Sequence, residues 1–555
     1  MRSTRRGSVL MMIVVCMVVC SAATQVAAQE PVLGVSVNVK YLDSYLARVQ
    51  PLLDMSEEEM LALIPTQSGI YFCDCPNCDL GRQEGQFKNN SGNEYQSWSI
   101  ENPDQIRCSH CGHVYPSETY PMRDAVEVLN PRGESQSYPY YKDADGYGHH
   151  FAARIDYHKI RYMERAANTF ARLYALTEDE QYARRATLIM RRFAQVYPGY
   201  CYHFDYPFRE KIIESGDVAP RDFRSGFRTA RWSWWAYMDV PALLVEAWDL
   251  IAPSGQDHES SAEIESFFAS AAEQVMANRD DLGNMSPGMW ADLIRVGRVI
   301  GEPEYVHVAM ARLRKLMAQR FFYDGVWLEG APSYHSQVIG ALSGVFNAAR
   351  GYSDPPGYAH PETGERFDEL DIETDFPMAA RSAAALMQMR LPNGRFVPVH
   401  DTWSTNGRSA LAESGPWLLP GLGHGSLGRG AGDEQLQVHL TWSGGYGHRH
   451  YDGLSLLLFA NGRELLSDLG YTHTKGRAWT IATASHNTVV VDHKSQVANG
   501  GAKSTYGSLR YFDAADDFCQ ALSVDNPEVY PDDLSLFRRT LLLTDGYLVD
   551  FFEVA

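Results

Sequence analysis

The sequence predicts an α+β multidomain protein, an N-terminal incomplete (α/α) toroid followed by an antiparallel β-sandwich. Three features carry this. From Tyr157 onward, seven segments repeat apolar residues at three- and four-residue steps, the spacing of one helix face. At about Pro392 the texture changes to short runs of alternating apolar and polar residues, such as LQVHLTW and ELLSDLG, the spacing of half-buried strands. Between two of those runs stands Asn461-Gly462, a pair that suits a two-residue hairpin because both turn positions need a positive φ.

In chain order the expected units are a leader at 1–28, an N-terminal segment with a cysteine knob and loops at 29–155, the helical toroid at 156–391 and the β-sandwich at 392–555. The leader, MRSTRRGSVLMMIVVCMVVCSAATQVAAQE, has a basic start, an apolar centre and small residues before Gln29, the pattern of a secretory signal. Cleavage near Ala28 and export, to the periplasm or the medium, follow from it. The apolar centre is too short to span a bilayer comfortably, so no membrane span is expected after cleavage. With 45% apolar and 21% charged residues the chain has the composition of a soluble globular protein. Its formal charge of -20 argues against nucleic acid as a partner, since phosphate binding needs a basic surface. An anionic polysaccharide would need a local basic cleft, and a homodimer is left open.

In the 29–155 segment, YLDSYLARVQPLLD and SEEEMLALI read as helices, the second capped by Ser56 through its hydroxyl. Cys75-Pro-Asn-Cys78 and Cys108-Ser-His-Cys111 then form two CxxC pairs with a long insert, a zinc-ribbon spacing. An exported chain could instead oxidise these thiols. CxxC closes a short loop for a structural disulfide and suits tetrahedral thiolate ligation better, so a structural zinc knob is favoured, with Cys73 as a spare ligand. Four thiolates leave no open position for catalysis. The Pro-, Gly-, Tyr- and Asp-rich stretch at 116–150 reads as ordered loop.

The helical segments are YHKIRYMERAANTFARLYALT, DEQYARRATLIMRRFAQVY, WSWWAYMDVPALLVEAWDLI, ESSAEIESFFASAAEQVMANR, MWADLIRVGRVI, PEYVHVAMARLRKLMAQRF and YHSQVIGALSGVFNAARGY, with no strand-like alternation between them. Antiparallel helix pairs must close into a ring or extend as a solenoid to bury their apolar faces, and no fixed repeat length is visible. The strand runs are RFVPVHD, LQVHLTW, LSLLLFA, ELLSDLG, NTVVVD, SLRYFDA, FCQALSV, LFRRTLLLT and YLVDFFEVA. The last reaches Ala555 with no turn after it, so the sheet is expected to be incomplete there.

The stretch at 444–492 holds the richest chemistry. His450, Asp468 and His486 are candidates for one cluster around the hairpin, and two imidazoles with a carboxylate are a set that Zn²⁺ accepts. Strict pairing across Asn461-Gly462 places Asp468 opposite Ser455 and turns His450 to the other face, which His473 would then share. Glycines at 444, 445, 447 and 453 permit an irregular approach that would swing His450 round. Hydrogen-bonded surface histidines at a strand mouth give the same pattern, and spacing alone does not separate the two.

The succession of helices and strands, with GHRHYDGLSLLLFANGRELLSDLGY and ASHNTVVVD in order, resembles the heparinase II/III-like polysaccharide lyases, relatives of alginate and oligo-uronide lyases. The resemblance covers roughly 157–555. It implies zinc ligation by His450, Asp468 and His486, mainly structural. It also implies an active-site histidine at His448, a proton-donating tyrosine at Tyr334 on a helical-domain loop, and a substrate-carboxylate contact at Asn284. Two departures stand out. Met285 follows Asn284 where the family often has histidine, which removes one candidate base, and the nearest match to a second active-site tyrosine is Tyr471, off the usual spacing. The reaction implied is β-elimination at C5 and C4 of a uronate, leaving an unsaturated end. A uronate C5 epimerase, a non-catalytic glycan-binding protein and a zinc hydrolase are the rivals.

The chemistry explains the residue types. Removing the C5 proton builds charge on the carboxylate, which an amide and an imidazole stabilise by hydrogen bonding, and a phenol of pKa about 10 is protonated at neutral pH and fit to protonate an alkoxide. Each residue also has a plain structural role open to it: Tyr334 as a packing tyrosine, Asn284 as the cap of the helix near Pro287, His448 as a solvated loop residue. Glu329 and His335 stand close to Tyr334, to contact substrate or to support the loop. Arg228 and Arg231, beside Arg221, Arg224 and the WSWW containing Trp234, would grip carboxylates or sulfates over an aromatic platform, or form a basic face beside core tryptophans.

Overall fold

The computed structural model describes residues 30–71, 73–78, 96–144, 146–204, 212–214, 229–230, 240–255, 258–277, 282–403, 415–444, 446–472, 476–497 and 505–555. It contains a helical portion and antiparallel sheets, an α+β arrangement. Helices α1 (Leu42–Leu53) and α2 (Glu57–Ala62) open it. Ser56 caps α2 in a reciprocal box, its hydroxyl accepting from Glu59 N while the Glu59 carboxylate accepts from Ser56 N at 2.9 Å, so two orphan donors are satisfied at once.

The 116–150 stretch is a correction to the loop reading. Strands β1 (Gln96–Ser97), β2 (Ile106–Cys108) and β3 (Val114–Tyr115) make one small antiparallel sheet, and β4 (Asp124–Leu129), β5 (Ser135–Lys142) and β6 (Gly148–His149) make another. Tyr and Val in alternation supply the strand propensity that the Pro and Gly content masks.

The helices follow as α3 (Phe151–Thr177), α4 (Glu180–Val196), α5 (Ala242–Ile251), α6 (His258–Ala277), α7 (Ser286–Ile300), α8 (Pro303–Gln319) and α9 (Pro332–Ala349). Helix α3 packs on α4 and α5, and α7 on α8 and α9, around one continuous apolar core. Short strands β7 (Tyr202–Phe204), β8 (Ile212–Glu214) and β9 (Thr229–Ala230) interrupt the series, against the expectation that no strand intrudes. Helices α10 (Ile372–Asp375) and α11 (Pro377–Gln388) complete this portion. The α11 sequence, PMAARSAAALMQ, lacks a strong apolar stripe and buries only Ser382 and Ala385.

Strands β10 (Trp417–Leu419), β11 (His424–Arg429), β12 (Leu436–Thr441), β13 (Leu456–Ala460) and β14 (Arg463–Leu466) form a five-stranded antiparallel meander. A short helix, α12 (Arg477–Thr480), precedes the four-stranded meander of β15 (Ser508–Asp513), β16 (Gln520–Asp525), β17 (Phe537–Leu543) and β18 (Leu548–Val554). The two sheets share one core, in which Leu427, Leu440 and Trp442 meet Leu522, Val524 and Leu541. Two expected strands are absent. RFVPVHD makes only an isolated bridge from Phe396 to Arg390, and NTVVVD runs irregularly after His486, giving one carbonyl, that of Asn487, to Leu456 N. Arg539 of β17 donates to the carbonyls of Leu454 and Asn487 at 2.7 and 2.5 Å, so a guanidinium takes the place of a ladder partner. Among the described residues no helix is long and apolar enough to cross a membrane.

Candidate active site

The hairpin turn forms as its sequence demands, with Asn461 at φ +52° and Gly462 at φ +71°. The pairing is not strict. Ala460 faces Arg463 and Phe459 faces Glu464, but Leu458 faces Leu466, so Leu465 is one residue too many on the return strand. That bulge carries Asp468 to the level of Leu456 instead of Ser455 and reverses the face it presents. The irregularity expected on the glycine-rich approach to β13 therefore lies chiefly on β14, joined by Leu454 at φ +59°. His473 lies outside the described residues.

As a result His450, Asp468 and His486 are all buried, each with a donor atom within 4.8 Å of the others. The Asp468 carboxylate lies 2.6 Å from His486 Nδ1, and His450 Nε2 lies 3.0 Å from Asp401 Oδ1. A carboxylate only accepts, so those ring nitrogens carry the hydrogens and the others, His486 Nε2 and His450 Nδ1, present lone pairs. Neither has a hydrogen-bond partner, and a buried polar atom left so costs about 1–3 kcal/mol. The donor set fits a divalent cation. Elsewhere, the sulfurs of Cys75, Cys78, Cys108 and Cys111 also lie within 4.8 Å of one another.

On the helical side Pro332 starts α9, its missing N–H costing nothing at that position. Tyr334 thus sits in the first helical turn, not on a loop. Its ring stacks on His448, centroids 3.6 Å apart and planes at 18°. Tyr471 meets the Tyr334 ring edge-on at 6.3 Å, with Arg477 over the Tyr471 face and Trp403 at its edge. Glu329 accepts from Trp327 Nε1 at 2.8 Å and lies 3.8 Å from His448 Nε2. His335 is buried and braces the loop, accepting from Trp327 N and donating to Ser382 O. Asn284 does not cap α7; its amide donates to Gln337, one turn beyond Tyr334 on α9, at 3.4 Å. Arg228, Arg231 and Trp234 lie outside the described residues.

Sequence reasoning missed the residue at the centre. Asp401 accepts from His448 Nδ1 at 2.9 Å, from His450 Nε2 at 3.0 Å, and from both terminal nitrogens of Arg477 at 2.6 and 2.9 Å. It sits where a strand was expected. Instead His400, at φ +54°, turns the chain, a conformation that costs a non-glycine residue roughly 1–3 kcal/mol. Two main-chain bonds and one from a side chain then hold the loop: Asp401 N to His448 O at 2.9 Å, Tyr471 N to Thr402 O at 2.9 Å, and the Ser333 hydroxyl to Asp401 O at 2.7 Å. The only hint in the sequence is a His-Asp pair ending an apolar run.

The electrostatics follow. Burial pushes the Asp401 carboxyl up, but the hydrogen bonds from His448, His450 and Arg477 outweigh it and hold it well below the usual carboxylate range. Burial, then the Tyr471 phenol and the Asp401 and Glu329 carboxylates, push the Tyr334 phenol well above its ordinary value. The site therefore offers a neutral phenol and, because Asp401 keeps the hydrogen on His448 Nδ1, a lone pair on His448 Nε2.

Residues 431–549 match the family model described as Heparinase II/III-like, C-terminal, which bears out the resemblance read from the motifs. Solved structures are similar over a longer span. A heparinase III, the BT4657 gene product with methylated lysines, is 16% identical, with 94% of this chain and 78% of that chain covered at a TM-score of 0.52. A mutant of the heparan sulfate lyase HepC from Pedobacter heparinus is 14% identical, with 94% and 77% covered at 0.51. A second structure of the same heparinase III gene product aligns over 72% of this chain and 64% of that chain, less than two thirds of its length, at 14% identity and a TM-score of 0.51. These likenesses speak for the fold. No curated protein matches.

Proposed function

We propose that the chain is a polysaccharide lyase that cuts a uronic-acid-containing anionic glycan by β-elimination, in the groove where the start of α9 meets the loops of the five-stranded sheet. In this reading the helix pairs are an incomplete (α/α) toroid, and the leader pattern at 1–28 sends the protein to the periplasm or the medium. The observation that carries the proposal is the stack of Tyr334 on His448 at 3.6 Å. A neutral acid from the helical portion and a basic nitrogen from the sheet portion stand side by side, as an elimination requires.

The reaction needs one group to take the C5 proton and one to protonate the C4 oxygen as its bond to C4 breaks, the C5–H electrons becoming the C4–C5 double bond. His448 Nε2 is the base and, once protonated, neutralises charge at the sugar. Asp401 orients it and, being ionised, stabilises the imidazolium. Tyr334 gives its proton to the leaving oxygen, a task suited to a phenol held neutral. Asn284 contacts the substrate carboxylate, whose developing charge a hydrogen-bond donor stabilises by about 3–4 kcal/mol. Glu329 and Tyr471 border the sugar. A Zn²⁺ ion would be held by His450, Asp468 and His486, where it braces the loop carrying His448 rather than reacting with the sugar.

The test is a panel of heparan sulfate, chondroitin sulfate, alginate and ulvan, followed by ultraviolet absorbance of the conjugated product, with Tyr334→Phe beside the natural protein. Absorbance should rise on at least one glycan and fall by about 10²-fold or more in the variant. No rise on any of them, or solvent deuterium entering C5 without chain scission, would replace the lyase with a binding protein or an epimerase.

A further inference from the structure

The five cysteines of the N-terminal segment are not used by the chemistry above. We infer that Cys75, Cys78, Cys108 and Cys111 form a four-thiolate zinc site that clamps the strands before α3 onto the first turn of that helix.

The sulfur spacing separates a metal from disulfides. Tetrahedral zinc with Zn–S bonds of about 2.3 Å sets neighbouring sulfurs about 3.8 Å apart, whereas bonded sulfurs lie about 2.05 Å apart. Cys75 Sγ lies 3.6 Å from Cys111 Sγ, and Cys78 Sγ lies 3.7 Å from Cys108 Sγ. None of the four is in a disulfide. The close pairs cross between the two CxxC turns, so both turns contribute to a single cluster whose four sulfurs all lie within 4.8 Å of one another.

The backbone is built for it. Cys78 N donates to Cys75 O at 3.2 Å, and Gly112 N donates to Cys108 O at 2.9 Å, so each pair sits on a tight turn. Gly112, directly after Cys111, is at φ +76°, which glycine adopts freely and which turns the chain back into β3. Strand β2 ends on Cys108, and β3 begins two residues after Gly112.

A supporting contact completes the site. Tyr115 is fully buried, and its hydroxyl lies 2.9 Å from Cys75 Sγ. Asn77 N donates to that oxygen at 3.4 Å, and a zinc-bound Cys75 thiolate, which carries no hydrogen, would accept the phenol hydrogen. The Tyr115 ring lies on Phe151, the first residue of α3, at 4.3 Å and 15°. One side chain thus joins the metal corner to the longest helix of the core. All four ligand positions are protein sulfurs, so the ion is structural and soft thiolates select Zn²⁺ over the harder divalent cations.

The experiment uses the full chain, stripped of metal under reducing conditions and titrated with Co²⁺. A thiolate-to-cobalt charge-transfer band should grow in the near ultraviolet and saturate at about one ion per chain. It should persist in His486→Ala, whose site has no sulfur, and disappear in the Cys78→Ser/Cys111→Ser double variant. Native protein, purified without chelator and weighed after denaturation, should show reduced thiols and lose zinc on treatment with a mercurial. A mass lower by four hydrogens, which marks two disulfides, would overturn the inference. So would a cobalt spectrum of the natural chain without the sulfur band, which decides the matter even where the double variant fails to fold.

Discussion

Asp401→Asn tests the centre of the site with almost no change in volume. Four N–H groups converge on that carboxylate, from His448, His450 and twice from Arg477. An amide accepts on one oxygen only and puts an NH₂ group where the other oxygen stood. Two N–H groups then face a donor. Either His448 moves its hydrogen to Nε2 and ceases to be a base, or His450 moves its hydrogen to Nδ1, the lone pair available to a metal. Hydrogen bonds to a charged group contribute about 1.5–3 kcal/mol each, and removing one partner of a buried charge pair costs about 3–5 kcal/mol. The variant should lose stability in that range, kcat by about 10²- to 10⁴-fold, and metal affinity by about 10- to 100-fold. Denaturant unfolding, product absorbance and ¹⁵N spectra of the histidine rings measure the three effects separately. A variant with kcat within about twofold of the natural protein, and with His448 still protonated on Nδ1, would refute the argument that Asp401 sets the tautomer.

Three further outcomes follow from the geometry. Gly330 is at φ +78°, and a Cβ there would lie 2.3 Å from the Tyr446 ring, so Gly330→Ala should destabilise by about 1–3 kcal/mol in denaturant unfolding; an unchanged midpoint would mean that the two portions do not approach so closely. Deleting Leu465 removes the bulge and turns Asp468 away, so metal retention at the histidine site should drop by on the order of tenfold or more, while Leu465→Ala, with the bulge kept, should retain it. Burial raises the Asp156 carboxyl to about 6 against the Gln67 hydrogen bond and Lys159. The folded state therefore holds a proton that the unfolded chain, with a carboxyl pKa of about 3.9, has released, and stability falls as pH rises through that window. Asp156→Asn should match the natural protein below pH about 4 and exceed it by about 1–3 kcal/mol at pH 7, as paired unfolding curves at the two pH values would show.

Helices α3 to α9 were legible because each buries a stripe at helical spacing, as α11, which buries only Ser382 and Ala385, does not, and the hairpin because Asn461-Gly462 admits few other conformations. Strands β10 and β11 were not. Their sequence, WLLPGLGHGSLGR, reads as loop, yet a Cβ at Gly425 would meet Leu418 and Leu522, and one at Gly428 would meet the Gly415 backbone at 2.5 Å. The glycines are there because other elements approach closely, a tertiary demand that local propensity does not register. NTVVVD errs the other way: a β-branched run with no ladder to join, held by Arg539 from the other sheet. The cluster of His450, Asp468 and His486 was legible in residue type but not in geometry, because parity across the hairpin rests on Leu465 alone. Asp401 was hidden for another reason. Its partners stand 47, 49 and 76 residues away, so no local pattern marks it.

The same distances say what kind of evidence the site variants will give. The segments bearing Tyr334, Asp401, His448 and Tyr471 are joined by the Ser333 hydroxyl to Asp401 O and by the main-chain bonds Asp401 N to His448 O and Tyr471 N to Thr402 O. None of those bonds uses the carboxylate, imidazole or phenol proposed to act on the sugar. Trimming Tyr334 to Phe therefore removes a proton donor from a scaffold that stays in place, and a loss of turnover can be assigned to chemistry. Ser333→Ala does the reverse. It leaves every reacting group intact and frees one end of the loop, at about 1 kcal/mol for the lost hydrogen bond. If the stack of phenol on imidazole is what makes the site work, Ser333→Ala should lower kcat by loosening that stack while leaving the Asp401-to-His448 tautomer unchanged in ¹⁵N spectra. Full activity in a variant whose loop has measurably loosened would show that the contact at 3.6 Å is packing and that the reacting groups lie elsewhere.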